Sequence, residues 1–562
     1  MNPDLKILII GGYGTFGGRL VELLLDEPSL TLIIAGRSLD KAASYCQARR
    51  NGKAHLIPTA LDRTGDFRLQ LLQLKPDIVV DASGPFQDYG RNAYGLVEAC
   101  IDRKIHYLDL ADGSGFVEGI TAYDQSAKSA GVFVLSGVSS FPVLTAAVAK
   151  KLSSGMAYVR SIRGGIAPSP YAGVGSNVIQ AIAGYAGQKT SGTKAEKSGT
   201  AYPLTETMRY TIGPPGTRPL RNTLFSLVDV PDLKVLARLW PEAETIWIGA
   251  GPVPENLHRA LIALAWLVRL GLVRTLLPLA PLMQYVVDHV RWGEHRGGMF
   301  VEIQGETADG QEITRSWHLL AEGRDGPMIP SMAVELIIRR IMAGHVIPPG
   351  ARTALEDVTL DDYETLFRKR TIRTGFRQDV ARAKKSLYHY ILGAAWDDIA
   401  PEIRSMHDVF TSAEAEGMAE IHRGKSAGAK IIARVFGFPD AGADIPVRVN
   451  FVVGNDTETW TRTFARKSFS SMQYAGRGRD NCLLVERFGI LTFAMALVWE
   501  ENRLNLVLRN WRVLGVPLPL WLAPRSVSYE SVEEGRFRFN VEISHRLTGL
   551  IVHYHGWLVR KM

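Results

Sequence analysis

The 562-residue chain is 46% apolar and 22% charged, which excludes global disorder and, at this length, a single ordinary core. Its formal charge of +8 is modest for the length and contains no block of five or more Lys/Arg, so a dinucleotide phosphate or an anionic membrane surface accounts for it as well as nucleic acid would. Three cysteines, Cys46, Cys100 and Cys482, lie far apart with no CxxC pair, which argues against zinc and disulfide scaffolds and for a reducing compartment.

Met1 to Lys6 lead directly into an apolar run without a signal peptide, so the expected location is the cytoplasm. The run Ile7-Leu8-Ile9-Ile10 flows into Gly11-Gly12-Tyr13-Gly14-Thr15-Phe16-Gly17-Gly18 and reads as a buried strand feeding a phosphate-binding turn. Gly12 suits the tight turn, Gly14 lets backbone approach a pyrophosphate, and Gly17 lets the next helix pack close. The amides at the start of that helix, including those of Thr15 and Phe16, and its positive dipole end face the anion. A second strand, Leu30 to Ala35, follows at the expected distance and ends in Gly36-Arg37-Ser38. NAD enzymes place an acid there for the ribose 2′-OH. Arg37 and Ser38 instead offer a cationic fork and a hydroxyl, as a 2′-phosphate requires, so NADP is preferred to NAD; the structural alternative is an Arg37 that merely caps the sheet edge in solvent.

Leu39 to Arg49 reads as a helix, His55 to Leu61 as a strand and Thr64 to Leu74 as a helix. The strand Ile78 to Ala82 ends in the small-residue loop Ser83-Gly84-Pro85-Phe86, where the nicotinamide end of a cofactor can be approached closely. A helix over Asn92 to Asp102, strands at Ile105 to Leu110 and Val132 to Ser136, and a helix around Thr121 to Ala130 complete an alternating pattern. That pattern implies a parallel doubly wound α/β sheet, a Rossmann domain, over residues 1–150.

Gly12-x-Gly14-x-x-Gly17, the tract Ala82 to Phe86 with Tyr89-Gly90 behind it, Tyr107-Leu108-Asp109 and Gly137 to Pro142 together resemble the saccharopine dehydrogenase-like NADP-binding domain. The resemblance implies a Rossmann domain followed by a substrate or dimerisation domain, and an oxidoreductase whose substrate varies among relatives; a homodimer through the middle region is part of that implication. Relatives carry acids in and just after the segment matching Gly137 to Pro142. Here Ser139 and Leu144 stand in that stretch, a departure from an amino-acid substrate pattern.

Residues 151–375 read as an α+β substrate or dimerisation domain. Val159 to Ile166 is a strand, Gly175 to Tyr185 a helix, and Gly187 to Gly199 either a solvated connector or a loop closing over substrate. Residues 261–287 are strongly apolar but interrupted by Arg269, Arg274, Pro278 and Pro281. They read first as a buried helical hairpin and second as an interfacial helix in peripheral membrane contact, rather than a span. Met299 to Gly305 and Glu312 to Leu320 form a hairpin, followed by a helix over Met328 to Ala343. Arg368 to Arg373 begins a linker.

Residues 385–562 open with helical turns and continue as period-2 strands at Ala429 to Phe436, Ile445 to Val453, Glu458 to Phe464, Phe469 to Ala475, Cys482 to Phe488, Leu491 to Trp499, Arg503 to Trp511, Arg536 to Ile543 and Gly549 to Val559. They describe a mainly antiparallel β domain, a curved sheet or half-barrel. The segment resembles a domain of unknown function found after saccharopine dehydrogenase-like domains in bacteria, a likeness that brings no catalytic residues.

For hydride transfer the acid/base candidates are Asp109, Asp112 and Tyr89, with a structural cap as the alternative role of Asp109. The cofactor-binding set is Gly12, Gly14, Thr15, Phe16, Gly17, Arg37, Ser38, Ser83, Gly84, Pro85 and Phe86. His553 and His555 share one strand face but lack a third ligand, so no metal site is expected. No nucleic-acid motif is present. The reading is an NADP-dependent oxidoreductase of a hydrophobic or unusual small-molecule substrate; the alternative is a non-catalytic NADP-binding or lipid- or membrane-associated protein.

Overall fold

The computed structural model describes residues 5–61, 66–191, 200–290, 292–378 and 385–561. The chain forms two compact units, residues 1–208 with 224–373 and residues 209–223 with 374–562. The proposed helix start at Thr64, most of the Gly187 to Gly199 loop and the last part of the linker after Arg373 lie outside the described residues.

The first unit is built on a parallel sheet of strands β1 (Leu5–Ile10), β2 (Leu30–Gly36), β3 (His55–Ala60), β4 (Ile78–Asp81), β5 (His106–Asp109) and β6 (Phe133–Ser136). A seventh strand, Gly350–Thr353, pairs in parallel with β6 after some 200 intervening residues, giving the order (Gly350–Thr353)-β6-β5-β4-β1-β2-β3. Ile7 to Ile10 are at most 3% exposed because crossover helices cover both faces of such a sheet, which is why this stretch is apolar without alternation. Chain direction of winding reverses between β1 and β4, and loops leaving those two strands diverge to open a crevice at their carboxyl ends. Helix α1 (Thr15–Leu24) follows β1 and helix α2 (Leu39–Ala48) follows β2.

A mixed sheet occupies the rest of this unit, with strands Thr223–Leu227, Thr245–Ala250, Met156–Ala167, Gly297–Thr307 and Glu312–Ala321 adjacent in that order. Helix Ile329–Met342 returns to the nucleotide-binding half: Ser331 donates to the Phe16 carbonyl (3.1 Å) and Arg339 to the Leu23 carbonyl (2.8 Å). The apolar segment forms two helices, Glu255–Arg269 and Ala280–His289. Ala265, Val268, Leu276 and Ala280 pack with Ile179 and Ala183, but Leu270, Leu272, Leu282 and Tyr285 are 59–71% exposed. The expected buried hairpin is therefore buried along one face alone. Among the described residues no helix is long and apolar enough to cross a membrane.

In the second unit ten long antiparallel strands, from Ser412–Arg423 to Gly549–Arg560, pair each with the next long strand and the last with the first, while the two-residue strand Val516–Pro517 pairs only with Arg503–Val513. The expected curved sheet or half-barrel thus closes into a complete barrel. Two of its strands, Ser412–Arg423 and Arg525–Glu533, escape the sequence reading. Ala429 to Phe436, read as a strand, is instead part of helix Ala427–Val435, started by Ser426, whose hydroxyl accepts from the Ala429 amide (3.1 Å). Ile431 and Val435 on this helix are 64% and 72% exposed, while Ile432 packs from the helix onto the barrel core.

Candidate functional site: the crevice at the carboxyl edge of the parallel sheet

The glycine turn is fixed by backbone geometry. The left-handed residue is Gly11 (φ +76°), one position earlier than the fingerprint suggests, and a Cβ there would sit 2.8 Å from the Ala82 carbonyl oxygen. At Gly17 a Cβ would run into the Gly11 carbonyl, so only glycine lets α1 approach β1 this closely. No side chain caps α1. Its first amides, next to Gly14, Thr15 and Phe16, are thus left for an anion.

At the end of β2, Arg37 is exposed and has no ion-pair partner among the described residues. Ser38 is the N-cap of α2: its hydroxyl accepts from the Lys41 amide (3.3 Å) and keeps its own proton to donate. The Ser38 amide donates to the Tyr13 hydroxyl (3.1 Å), and the Tyr13 ring covers Gly36, where any Cβ would clash with it. Tyr13, unmarked by the fingerprint, is thus a wall of the same subsite.

The loop after β4 is braced from below by Asp81. This carboxylate is fully buried, and its Oδ1 accepts from the Ser83 amide (3.0 Å) and hydroxyl (2.6 Å). From above, Asn177 at the start of helix Ser176–Tyr185 donates to the carbonyls of Ser83 and Gly84, both at 3.0 Å. The Gly84–Pro85 peptide is cis. Ser83 Oγ lies 3.2 Å from the Tyr89 hydroxyl, and Phe86 and Tyr89 pack on Phe116 with ring centroids 5.2 and 5.7 Å away.

Asp109 lies beside Asp81 in register on β5. It is fully buried, and its Oδ1 accepts from the Gly137 amide (2.7 Å), the Ala111 amide (3.0 Å) and the Ser136 hydroxyl (3.0 Å), tying together the loops after β5 and β6. Burial pushes its carboxyl up to about 7 against the pull of these donors, with Asp81 adding repulsion. Asp112 is half-buried and accepts from Gln87 (3.1 Å); burial raises its carboxyl too. Asp229, held by Ser114 (3.1 Å), is raised by burial as well. Tyr185 titrates above its ordinary range, first through burial and then through the negative charge of Asp112 and Asp229. Asp112 and Asp229 thus both lie near enough to Tyr185 to act on its hydroxyl, while Asp109 is tied into the loops after β5 and β6.

Of these residues, Asp81 carries a sequence signal, a charge ending an otherwise apolar buried strand. Asn177, Asp229 and Tyr185 carry none, because they come from a part of the chain whose placement over the crevice is purely tertiary. Elsewhere, His106 accepts from the Phe133 amide (3.2 Å) within the sheet and His407 meets Glu530 at 2.6 Å in the barrel unit. His555 gathers with Glu420 and His422 of the adjacent strand, their ligand atoms within 4.8 Å of one another, so the barrel supplies the neighbours that the sequence pattern of His553 and His555 lacked.

Residues 7–135 match the model of the saccharopine dehydrogenase NADP binding domain, and residues 399–558 match a domain of unknown function, DUF4166. The resemblance read from the motifs is thereby shown for both ends of the chain, and the first unit carries a dehydrogenase-type nucleotide-binding domain. Among solved structures, apo saccharopine dehydrogenase (L-Glu forming) from Saccharomyces cerevisiae is 13% identical, covering 67% of this chain and all of its own, with a TM-score of 0.42. A meso-dapdh variant from Clostridium tetani E88 is 16% identical over 65% of this chain and 99% of its own, with a TM-score of 0.32. A probable dehydrogenase from Thermotoga maritima is 12% identical over 66% and 98%, with a TM-score of 0.31. No curated protein matches the chain.

Proposed function

We propose that the protein is an NADP-dependent oxidoreductase. The observation that carries this reading is the pairing of the uncapped α1 N-terminus behind Gly11 and Gly17 with an exposed Arg37, without an ion-pair partner among the described residues, and a proton-bearing Ser38 hydroxyl at the end of β2. The backbone space that a Cβ at Gly11 or Gly17 would fill fits a pyrophosphate, and Arg37 and Ser38 fit a 2′-phosphate. When bound, the nicotinamide supplies the hydride. The Ser83 to Phe86 loop, fixed between Asp81 and Asn177, holds the reacting end in place. Asp112 moves the proton that accompanies hydride transfer, and Tyr89 orients the substrate. Asp109 positions the loops that carry them.

Fluorescence titration with NADPH and NADH tests the reading. The wild type is expected to bind NADPH more tightly than NADH, and Arg37→Asp should weaken NADPH by roughly 10- to 100-fold, the worth of a charge-assisted contact, and leave NADH nearly unchanged. Failure of both dinucleotides to bind sinks the proposal.

A second reading concerns location. The exposed apolar face of the two helices is interleaved with Trp266 and Tyr285 and flanked by Arg269 and Arg274, the composition of an interfacial anchor. It favours peripheral attachment to an anionic bilayer. Flotation with phosphatidylserine vesicles is expected for the wild type and lost in Leu270→Asp/Leu272→Asp; equal flotation of the two would exclude this anchor.

A further inference from the structure

The barrel of the second unit has an interior of its own. Ten strands make a ring wide enough that side chains do not fill it, and a cavity of about 420 Å³ remains at its centre. That volume is in the range of small-molecule sites, which run from roughly 300 to 1,000 Å³. The inward-facing positions follow the period of two: Val447, Val449 and Phe451 on one strand, Leu506 and Leu508 on another, Phe537, Phe539 and Val541 on a third. Packing alone explains apolar residues there. It does not explain leaving so much space between them, since unfilled apolar volume costs stability at roughly 24 cal/mol per Å³.

The few polar groups in the wall are almost all engaged. Arg462 stacks over Trp460 (4.9 Å to the ring centroid), donates to Ser471 (2.9 Å) and meets Glu486 at 3.3 Å. Glu486 also accepts from Ser471 (2.6 Å) and Gln473 (3.2 Å). Glu530 is joined to His407 (2.6 Å), itself stacked on Tyr388. Two buried wall residues keep an atom without a hydrogen-bond partner among the described residues: the Tyr388 hydroxyl and the Gln473 carbonyl oxygen. Both atoms are covered by the wall itself, so the surface turned to the cavity is almost wholly apolar.

We infer that the barrel binds an uncharged, elongated apolar molecule, held by the almost wholly apolar surface that lines its cavity. An anionic head is disfavoured because the wall's single cation is already matched by Glu486 while Glu530 stands nearby. A cationic head is disfavoured because each carboxylate already has its partner, and an additional buried charge would be uncompensated. The inference does not rest on the oxidoreductase reading: it uses none of the crevice residues.

Calorimetric titration of the full-length protein with decanol, decanoate, decylamine and decane tests it. Decanol and decane are expected to bind one per chain and at least fivefold more tightly than decanoate and decylamine. Leu506→Trp, which fills the cavity, should weaken decanol at least tenfold; Val541→Phe serves the same purpose if that variant does not fold, and unchanged NADPH affinity reports that the rest of the chain is intact. Tightest binding by the acid or the amine, insensitivity to both cavity-filling variants, or no binding of decanol overturns the inference.

Discussion

Asp109 shows how a single residue can look catalytic in sequence and occupy a different position chemically. Its strand-end location is where dehydrogenases place reacting groups, yet three donors converge on Oδ1 and bind it to backbone on both flanking loops. Burial raises its carboxyl to about 7 from an unfolded value of about 4. Between those values the folded state holds a proton that the unfolded chain has released, so its stabilising contribution is complete below about pH 4 and is lost as pH rises through about 7. Asp109→Asn keeps the Oδ1 acceptor and replaces Oδ2, which has no hydrogen-bond partner among the described residues, with an uncharged amide. Thermal unfolding from pH 4 to 8 should then be flatter for Asp109→Asn than for the wild type, with equal or higher Tm above pH 7. Asp109→Ala strands all three donors and should cost on the order of 2–4 kcal/mol at any pH in that range. A positioning role predicts that Asp109→Asn keeps kcat within about tenfold, whereas loss of a general acid or base costs roughly 100-fold or more; the kcat ratio separates the two.

At the scale of elements, strands and helices with a continuous apolar run or a clear 3.6 period were readable from sequence: β1, α1 and β4 and the hairpin Gly297–Thr307 with Glu312–Ala321 all fall where the pattern puts them. Gly350–Thr353 was not, because four residues of sequence Gly-Ala-Arg-Thr contain no alternation and acquire their strand state from β6 alone. Ala427–Val435 was misread because Ile431, Ile432 and Val435 favour strands by propensity, while the Ser426 cap decides for helix. The crevice shares this divide. Its glycine turn is local and was legible; the helix that closes over it, Ser176–Tyr185, is ordinary in sequence, and its Asn177 matters only through where it lands. Asn177→Leu removes both hydrogen bonds to the Ser83 and Gly84 carbonyls and should cost about 1–3 kcal/mol. Amide exchange in residues 82–87 should accelerate, and NADPH should bind about three- to tenfold more weakly, with the NADPH-over-NADH preference, set at Arg37, preserved. An altered preference with unaltered exchange would contradict this division of labour.

At the scale of the whole molecule, a linear reading divides the chain at 150 and 375–385, since composition changes there. The folded chain groups residues differently: Arg209–Thr223, from the middle of the sequence, belongs to the barrel unit. No periodicity could reveal this, because the segment is a strap held by its backbone. The Trp499 amide donates to the Gly216 carbonyl (3.0 Å), Arg509 to that of Pro219 (3.0 Å), and Arg377 to that of Gly213 (2.7 Å). Gly216 itself is left-handed (φ +67°), and a Cβ there would stand 2.7 Å from the Ala395 Cβ. Gly216→Val in the full-length protein therefore meets both a forbidden backbone region and a steric contact, at a cost of roughly 1–3 kcal/mol. The strap should peel from the barrel, seen as faster amide exchange over residues 212–220 and at Trp499. NADPH affinity depends on none of these groups and should stay within about twofold. If exchange at Trp499 is unchanged in this variant, the strap's hydrogen bonds do not hold it in place, and the barrel unit is the contiguous C-terminal segment that the sequence alone suggests.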